Sequence, residues 1–491
     1  MNQKNPKPPV HPVVWLAVGA AAYGLVGWRW SAPAAAWIAP VFLLRFFRTT
    51  KRWYSALLCL PFLYAAAALN MLGAWDLPLA AQLVLPAVVP MPLIGVLYVD
   101  RWLSRKLTGI LATIVFPSVY VGVDYALAFT PLGTLFSLAS TQFSAATIVQ
   151  VASVTGIWGI SFLITWFAAL VNAAWEHGFI LSRLRTPLGA FAAAATLVIG
   201  FGSWRIASHD RHPETVRIAG VTVEHPRDYW ELLDQGTPKA AVEPYRAEML
   251  EIEDRLFEQS LRAVHGGAGI VMWAEGNCVV PEDSLSRFIQ RAGAFAGGHG
   301  IYLAAGILEL RFGSDLNFNR VLMFRPDGSL AFDYQKTKSW LPVEADGRIR
   351  SVDTPYGTLA AAICFDMDFP GFIRQAARNG TDIMLVPGYD SQRISPFHTE
   401  VALLRGIEGG FAVVRQANEG TSMASDAEGT VLARQDYFAT ADRIMFADVP
   451  VKGIPTLYAR LGDWFAWTSI ALVAVLAVTA SRKRRRSQRR L

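Results

Sequence analysis

The chain has 491 residues, 53% of them hydrophobic and only 17% charged, with a mean hydropathy of +0.30. That is too apolar for an ordinary soluble protein, and long enough for two or three domains. The net charge of +6 does not point to nucleic acid, because seven basic residues crowd into the last ten positions, "RKRRRSQRRL", directly after an apolar helix.

About 20 apolar residues cross a bilayer core. The first 203 residues are therefore expected to form a bundle of about seven spans, near 11–28, 33–47, 54–74, 79–98, 107–129, 148–173 and 187–203, the second and seventh being short. The first stretch lacks a small-residue cleavage site and is followed by further spans, so it does not read as a cleavable leader. One charge falls inside a span. Asp124, in "VGVDYALAF", is a functional candidate by its depth; the plainer reading is that an outer loop solvates it.

Residues 204–460 change character. "GIVMWAE", "IYLAAGIL", "NRVLMF", "SLAFDYQK", "TLAAAICF", "DIMLVPG" and "FAVVRQAN" read as strands. Between them, "EPYRAEMLEIEDRLFEQSLRAV", "EDSLSRFIQRAGAFAGG", "GFIRQAARN" and "TEVALLRGIEG" carry helical spacing, and "RPDGSL" is a turn. This is an α/β domain with helices covering sheets. An eighth span is expected at 461–480, followed by a basic cytoplasmic tail, 481–491.

Basic residues orient the spans. With the N-terminus in the cytoplasm, the inner segments hold 18 Lys and Arg, including Lys4, Lys7, Arg45, Arg48, Lys51, Arg52, Arg101, Arg105, Lys106, Arg183 and Arg185; the short outer loops hold only Arg29. This bias puts 204–460 on the periplasmic side of a bacterial inner membrane.

Ligands gather at the carboxyl ends of strands in α/β folds. Glu275 closes "GIVMWAE", Lys336 follows "AFDYQ" and Cys364 follows "LAAAI". Converging, they would form a nucleophilic site. The carboxylate takes the thiol proton, the thiolate attacks a carbonyl, and the ammonium stabilises thiolate and oxyanion. Taken singly, each has a plain reading: Cys364 as a small core residue, Glu275 as a helix-start carboxylate, Lys336 as a solvated charge. His398, in "SPFHTE", pairs with no Ser or Cys motif and reads as structural. There is no HExxH or CxxC pair, no phosphate loop and no G-x-S-x-G elbow, so neither a metal nor a cofactor is expected. The odd count of three cysteines, Cys59, Cys278 and Cys364, supplies no disulfide framework.

"MWAEG", "DYQKTK" and "ICFDMDFP" resemble the three signatures of the nitrilase, or carbon–nitrogen hydrolase, superfamily, whose catalytic set is Glu, Lys and Cys in this order. The resemblance implies an α-β-β-α sandwich. It makes Glu275 the general base, Lys336 the oxyanion-stabilising lysine and Cys364 the nucleophile, supported by Glu344, Asp366 and Asn319. "LLRGIEGGFAVVRQANEGTS" resembles the late Arg-x-x-Glu helix and Asn strand, here Arg405, Glu408 and Asn418. The multi-span bundle with an outer nitrilase-like domain and a final span resembles the apolipoprotein N-acyltransferase family. That implies a monomeric membrane enzyme moving an acyl chain from a phospholipid donor to a lipoprotein acceptor through a thioester on Cys364. The loops depart from the family: "KSWLPVEAD" replaces Leu-Val-Pro-Phe-Gly-Glu, "PGYDSQ" keeps Asp390 but loses a tryptophan, and Phe365–Asp366 replaces Tyr-Glu. A membrane-anchored amidase, or a paralogue with another acceptor, is the alternative.

Overall fold

The computed structural model describes residues 10–488 except 51–53, 73, 75–78, 209–212, 226–228, 231, 233–236 and 317. Lys4, Lys7, Lys51, Arg52, Arg489 and Arg490, counted above for orientation, lie outside the described residues.

Among the described residues, five helical runs are long and apolar enough to cross a membrane: Leu79–Ser104, Ile110–Leu127, Ile157–Glu176, Leu181–Ala207 and Trp464–Arg482. Helices Pro12–Tyr23, Pro33–Thr49 and Ser55–Met71 are shorter and complete the bundle. Three expected spans are redrawn. The first helix stops at Tyr23, because Gly27 turns the chain with φ 78° into a short turn at Trp28–Trp30. The sixth starts at Ile157, after Gly156 at φ 65°; residues 146–155 form two separate short turns of helix. The seventh, read as short, is a 27-residue helix. Its polar ends, Ser182 to Arg185 and Arg205, hid its length from hydropathy.

Thirteen strands follow among the described residues: β1 (Thr215–Val221), β2 (Ile270–Trp273), β3 (Cys278–Pro281), β4 (Tyr302–Leu310), β5 (Phe318–Phe324), β6 (Leu330–Gln335), β7 (Arg350–Thr354), β8 (Gly357–Ala361), β9 (Ile383–Tyr389), β10 (Ala412–Asn418), β11 (Thr421–Ser425), β12 (Val431–Asp436) and β13 (Ile444–Pro450). They form two sheets, ordered β13-β1-β2-β4-β5-β6, with β3 beside β4, and β12-β11-β10-β9-β8-β7. The middle pairs are parallel: β1 with β2, β2 with β4, β8 with β9, and β9 with β10.

The period of two in a strand explains the layering. Ile218, Ile270 and Met272 point toward the second sheet and share a core with Met384 and Val413. Their neighbours Ala219, Val271 and Trp273 point the other way, onto Leu256, Phe257 and Phe288 of helices Arg246–His265 and Leu285–His299. Helices Pro370–Arg378 and Phe397–Gly409 cover the second sheet. The result is an α-β-β-α sandwich.

One end of the bundle docks on this sandwich. Ser391 Oγ donates to the Ala74 carbonyl, and Thr134 donates through both N–H and Oγ1 to the Asp368 carbonyl, each at 2.9 Å. Glu408, ion-paired with Arg405 at 2.8 Å, accepts the N–H of Ile157 at 2.7 Å and so caps a bundle helix. At the far ends of the same helices, Arg48, Arg105 and Arg183 line one cavity, and Arg48 is bidentate to buried Asp100 at 2.9 Å. Asp124 is buried and not solvated: Ser137 and Ser161 donate to its Oδ2 at 2.7 and 2.8 Å.

Candidate active site

Strand ends from both sheets meet over the bundle. β2 carries the chain to Trp273, and Gly276, at φ 61°, turns it back, leaving Glu275 at the rim. A Cβ on Gly276 would lie 2.7 Å from the Trp230 ring, so the turn also has no room for a side chain. β6 ends at Gln335 and delivers Lys336, and β8 ends at Ala361, three residues before Cys364. Cys364 opens a single 3-10 turn, Cys364–Asp368, with φ 47°. A left-handed conformation in a residue with a Cβ costs about 1–2 kcal/mol, a strain typical of functional sites.

Glu275, Lys336 and Cys364 are all buried. Glu275 Oε1 accepts from Lys336 Nζ and from Asn319 Nδ2; its Oε2 accepts the Tyr389 N–H at 2.9 Å. The Tyr389 carbonyl in turn accepts from Cys364 Sγ at 3.4 Å. The backbone of one residue at the end of β9 thus touches both the carboxylate, through its N–H, and the thiol, through its carbonyl. Burial pulls the Lys336 ammonium down, but Glu275 and Cys364 outweigh it and hold it above the ordinary lysine range.

Asp366 ties the two functional loops together. Its carboxylate accepts from Tyr334 Oη at 2.5 Å, from the N–H of Ile363 at 2.9 Å, and from those of Thr337 and Lys338 at 3.1 and 2.6 Å. Burial pushes it up to about 6, against those hydrogen bonds. Lys338, two residues past Lys336, lies instead over the Phe369 and Phe372 rings.

Glu344 lies exposed on the irregular segment after β6, and eight residues of loop containing a proline do not fix its direction as eight residues of strand would. Arg405 and Glu408 belong to the joint with the bundle, whereas Asn418 sits at the end of β10 and accepts the Asp390 N–H at 2.9 Å.

The structure adds a second buried group that the sequence reading passed over. Arg415 is bidentate to Asp390, at 2.6 and 3.0 Å, and its Nη2 lies 3.5 Å from Cys364 Sγ. His398 bridges Asp390 Oδ1 at 2.7 Å and Asp368 Oδ2 at 2.8 Å. Burial would lower His398, but Asp368 and Asp390 hold it well above the usual range. Burial would raise Asp390, but Arg415 and His398 keep it below the carboxylate range. The signal was a charged residue inside the apolar run "FAVVRQAN". Cys364, Asp390 and His398 bring donor atoms within 4.8 Å of one another, the spacing of a metal site. Both His398 nitrogens and both Asp390 oxygens are already engaged, however, and Arg415 supplies the cation.

The carbon–nitrogen hydrolase family matches residues 246–456, the stretch that carries all of these groups. Among relatives, an apolipoprotein N-acyltransferase of Geobacter metallireducens is 24% identical over 416 residues, covering 77% of this chain and 75% of the relative. One of Shewanella oneidensis is 22% identical over 436 residues, covering 79% and 78%. Among solved structures, an amidase from Nesterenkonia sp. AN1 is similar at 15% identity and TM-score 0.40, over 51% of this chain and 95% of its own. The matches to the acyltransferases are too long for the sandwich alone and include much of the bundle. The chain is similar to apolipoprotein N-acyltransferases over about three quarters of its length, and its residues 246–456 match the carbon–nitrogen hydrolase family. It is a multi-pass bacterial membrane protein. Aromatic rings stand beside the site: Trp340 stacks on Phe365 at 5.5 Å, and Trp230 lies 6.0 Å from Tyr389.

Proposed function

We propose that this protein takes an acyl chain from a phospholipid, holds it as a thioester on Cys364, and transfers it to the N-terminal amine of a diacylglyceryl-cysteine lipoprotein. The observation that carries this reading is that Glu275 and Cys364 both bond the backbone of Tyr389, with Lys336 on Glu275, where the sandwich meets the bundle.

Glu275 takes the Sγ proton, and the thiolate attacks the donor's ester carbonyl. Lys336 offsets the negative charge that develops on the carbonyl oxygen. The C–O bond breaks, and Glu275 returns the proton to the departing lysophospholipid hydroxyl. The acceptor amine then attacks the thioester, loses its proton to Glu275, and the thiolate leaves. Asn319 orients Glu275, and Asp366 keeps the loops of Lys336 and Cys364 in register.

A lipid donor is favoured by the surroundings. Phe365 and Phe369, next to the nucleophile, share an apolar cluster with Trp28, Ala74 and Leu135 from the bundle's loops. An acyl chain rising from the membrane would meet that cluster before the thiol. In this reading residues 1–203 are transmembrane, 204–460 periplasmic, 461–480 the last span and 481–491 a cytoplasmic tail. All catalytic groups come from one chain, which suits a monomer.

Wild-type protein incubated with phospholipid should gain one acyl mass, labile to hydroxylamine and absent from Cys364→Ala. Acylation at Cys278, or none at all, would overturn the reading. Mass spectrometry of lipoprotein N-termini from cells with and without the protein tests the acceptor.

A further inference from the structure

We propose that Arg415 is a further catalytic residue, whose guanidinium holds the Cys364 sulfur as a thiolate before attack and again as it leaves the thioester. The proposal rests on Cys364 being the nucleophile. Asp390, His398 and Asp368 are positioning residues that aim the guanidinium.

The geometry separates the two cations of the site. Lys336 is hydrogen-bonded to Glu275, not to sulfur. Arg415 is the cation whose N–H reaches Sγ, at 3.5 Å, within contact range for a sulfur acceptor. Its aim is fixed by two partners: Asp390 takes both Nη groups, and Thr399 Oγ1 accepts from Nη1 at 2.7 Å. His398 stands behind Asp390 and is held by Asp368. Arg415, Asp390, Thr399 and His398 are all at least nine-tenths buried. Two cations and two carboxylates balance one another, so the network adds no net charge to the core. Yet the member turned to the sulfur is positive. A purely structural Arg–Asp pair would not need to present its free N–H to the nucleophile.

The sulfur carries negative charge at two moments. It does so first when its proton has passed to Glu275, and again when the C–S bond of the thioester breaks and the electron pair returns to sulfur. A fixed guanidinium favours both, lowering the thiol's affinity for its proton and making the thiolate a better leaving group. The charged or titratable groups facing Cys364 are Glu275 beyond β2, Lys336 beyond β6, Asp366 and Asp368 on its own turn, Asp390 beyond β9, His398 on helix Phe397–Gly409, and Arg415 on β10.

The test is the pH dependence of Cys364 alkylation by iodoacetamide in the full-length protein in detergent, read by intact mass from about pH 5 to about pH 10. Cys364→Ala supplies the background from Cys59 and Cys278. Arg415→Met should move the midpoint up by about one pH unit or more, which at neutral pH is about a tenfold slower reaction. Arg415→Lys, which keeps a charge, should recover most of the difference. Asp368→Asn, which touches no sulfur, should shift it less and in the same direction. Transfer from preformed thioester to amine should slow in Arg415→Met as well. A midpoint unchanged in Arg415→Met overturns the proposal, as does an Arg415→Lys as impaired as Arg415→Met. Should Arg415→Met not fold, Asp368→Asn decides, and an unchanged midpoint there overturns it. Alkylation needs no lipid. A wild type that alkylates as expected but never forms the lipid thioester would overturn the acyl-transfer reading and leave Arg415 in place.

Discussion

Asp366 shows how much one side chain can settle. Four donors converge on its carboxylate, two of them backbone N–H groups from the loop after Lys336 and one from the residue before Cys364. An amide has one acceptor oxygen, so Asp366→Asn would aim an NH₂ group at donors. Thioester formation should fall about 10² to 10³-fold, the usual cost of misplacing such electrostatic partners, while the amount of membrane-inserted protein stays near normal. Wild-type rates in that variant would remove Asp366 from the site's support. His398 yields a pH prediction. Its folded-state affinity for a proton is raised above the unfolded value of about 6.5. The stabilisation is therefore complete below about pH 6.5 and is lost as pH rises through the higher folded value. Melting temperature should decline as pH rises above about 6.5, and His398→Asn should flatten that decline. Parallel curves for the two proteins would show that the imidazole is not held charged.

At the scale of elements, the position of Cys364 depends on how one loop of the bundle meets one turn of the sandwich. Gly133 lies at φ 55°, and a Cβ there would stand 2.8 Å from the Asp368 carbonyl. That carbonyl also accepts both hydrogen bonds from Thr134. Gly133→Ala should therefore cost about 1–2 kcal/mol for the left-handed backbone, plus the clash, and displace the turn that begins at Cys364. The expected outcome is a lower melting temperature together with a slower first half-reaction, measured as acyl-enzyme formation. Loss of stability with an unaltered rate would mean that the loop only braces the fold. The short, parallel middle strands matter for the same reason. β2, β8, β9 and β10 all end at this joint, so their carboxyl ends deliver Glu275, Cys364, Tyr389 and Asn418 to one place.

The whole molecule reads as a device with two ends. Loops poor in basic residues dock on the sandwich, and Arg48, Arg105 and Arg183 gather at the other end of the bundle. A phosphatase active only in the periplasm, fused near residue 455, should be active, and a fusion after residue 491 should be silent. The reverse pattern would invert the topology. The joint is polar and buried: Gln150 donates to the Glu428 carbonyl at 2.8 Å, and the Ile157 N–H to Glu408 at 2.7 Å. Separating the two parts would leave such groups without partners, at about 1–3 kcal/mol each.

The amino-acid sequence by itself determined what depends on local pattern. Apolar length marked the bundle, alternating strands and helices marked the sandwich, and Glu275, Lys336 and Cys364 stood out because each follows a strand that ends in charge. Asn319 and Glu344 were named only through the resemblance, since neither closes a strand. The span boundaries at Gly27 and Gly156 depended on backbone conformations that hydropathy does not register. Arg415, His398 and Asp368 come from a strand, a helix and a turn, and only folding joins them into one network through Asp390 beside Cys364, because a buried charge must find its partner in space rather than in sequence.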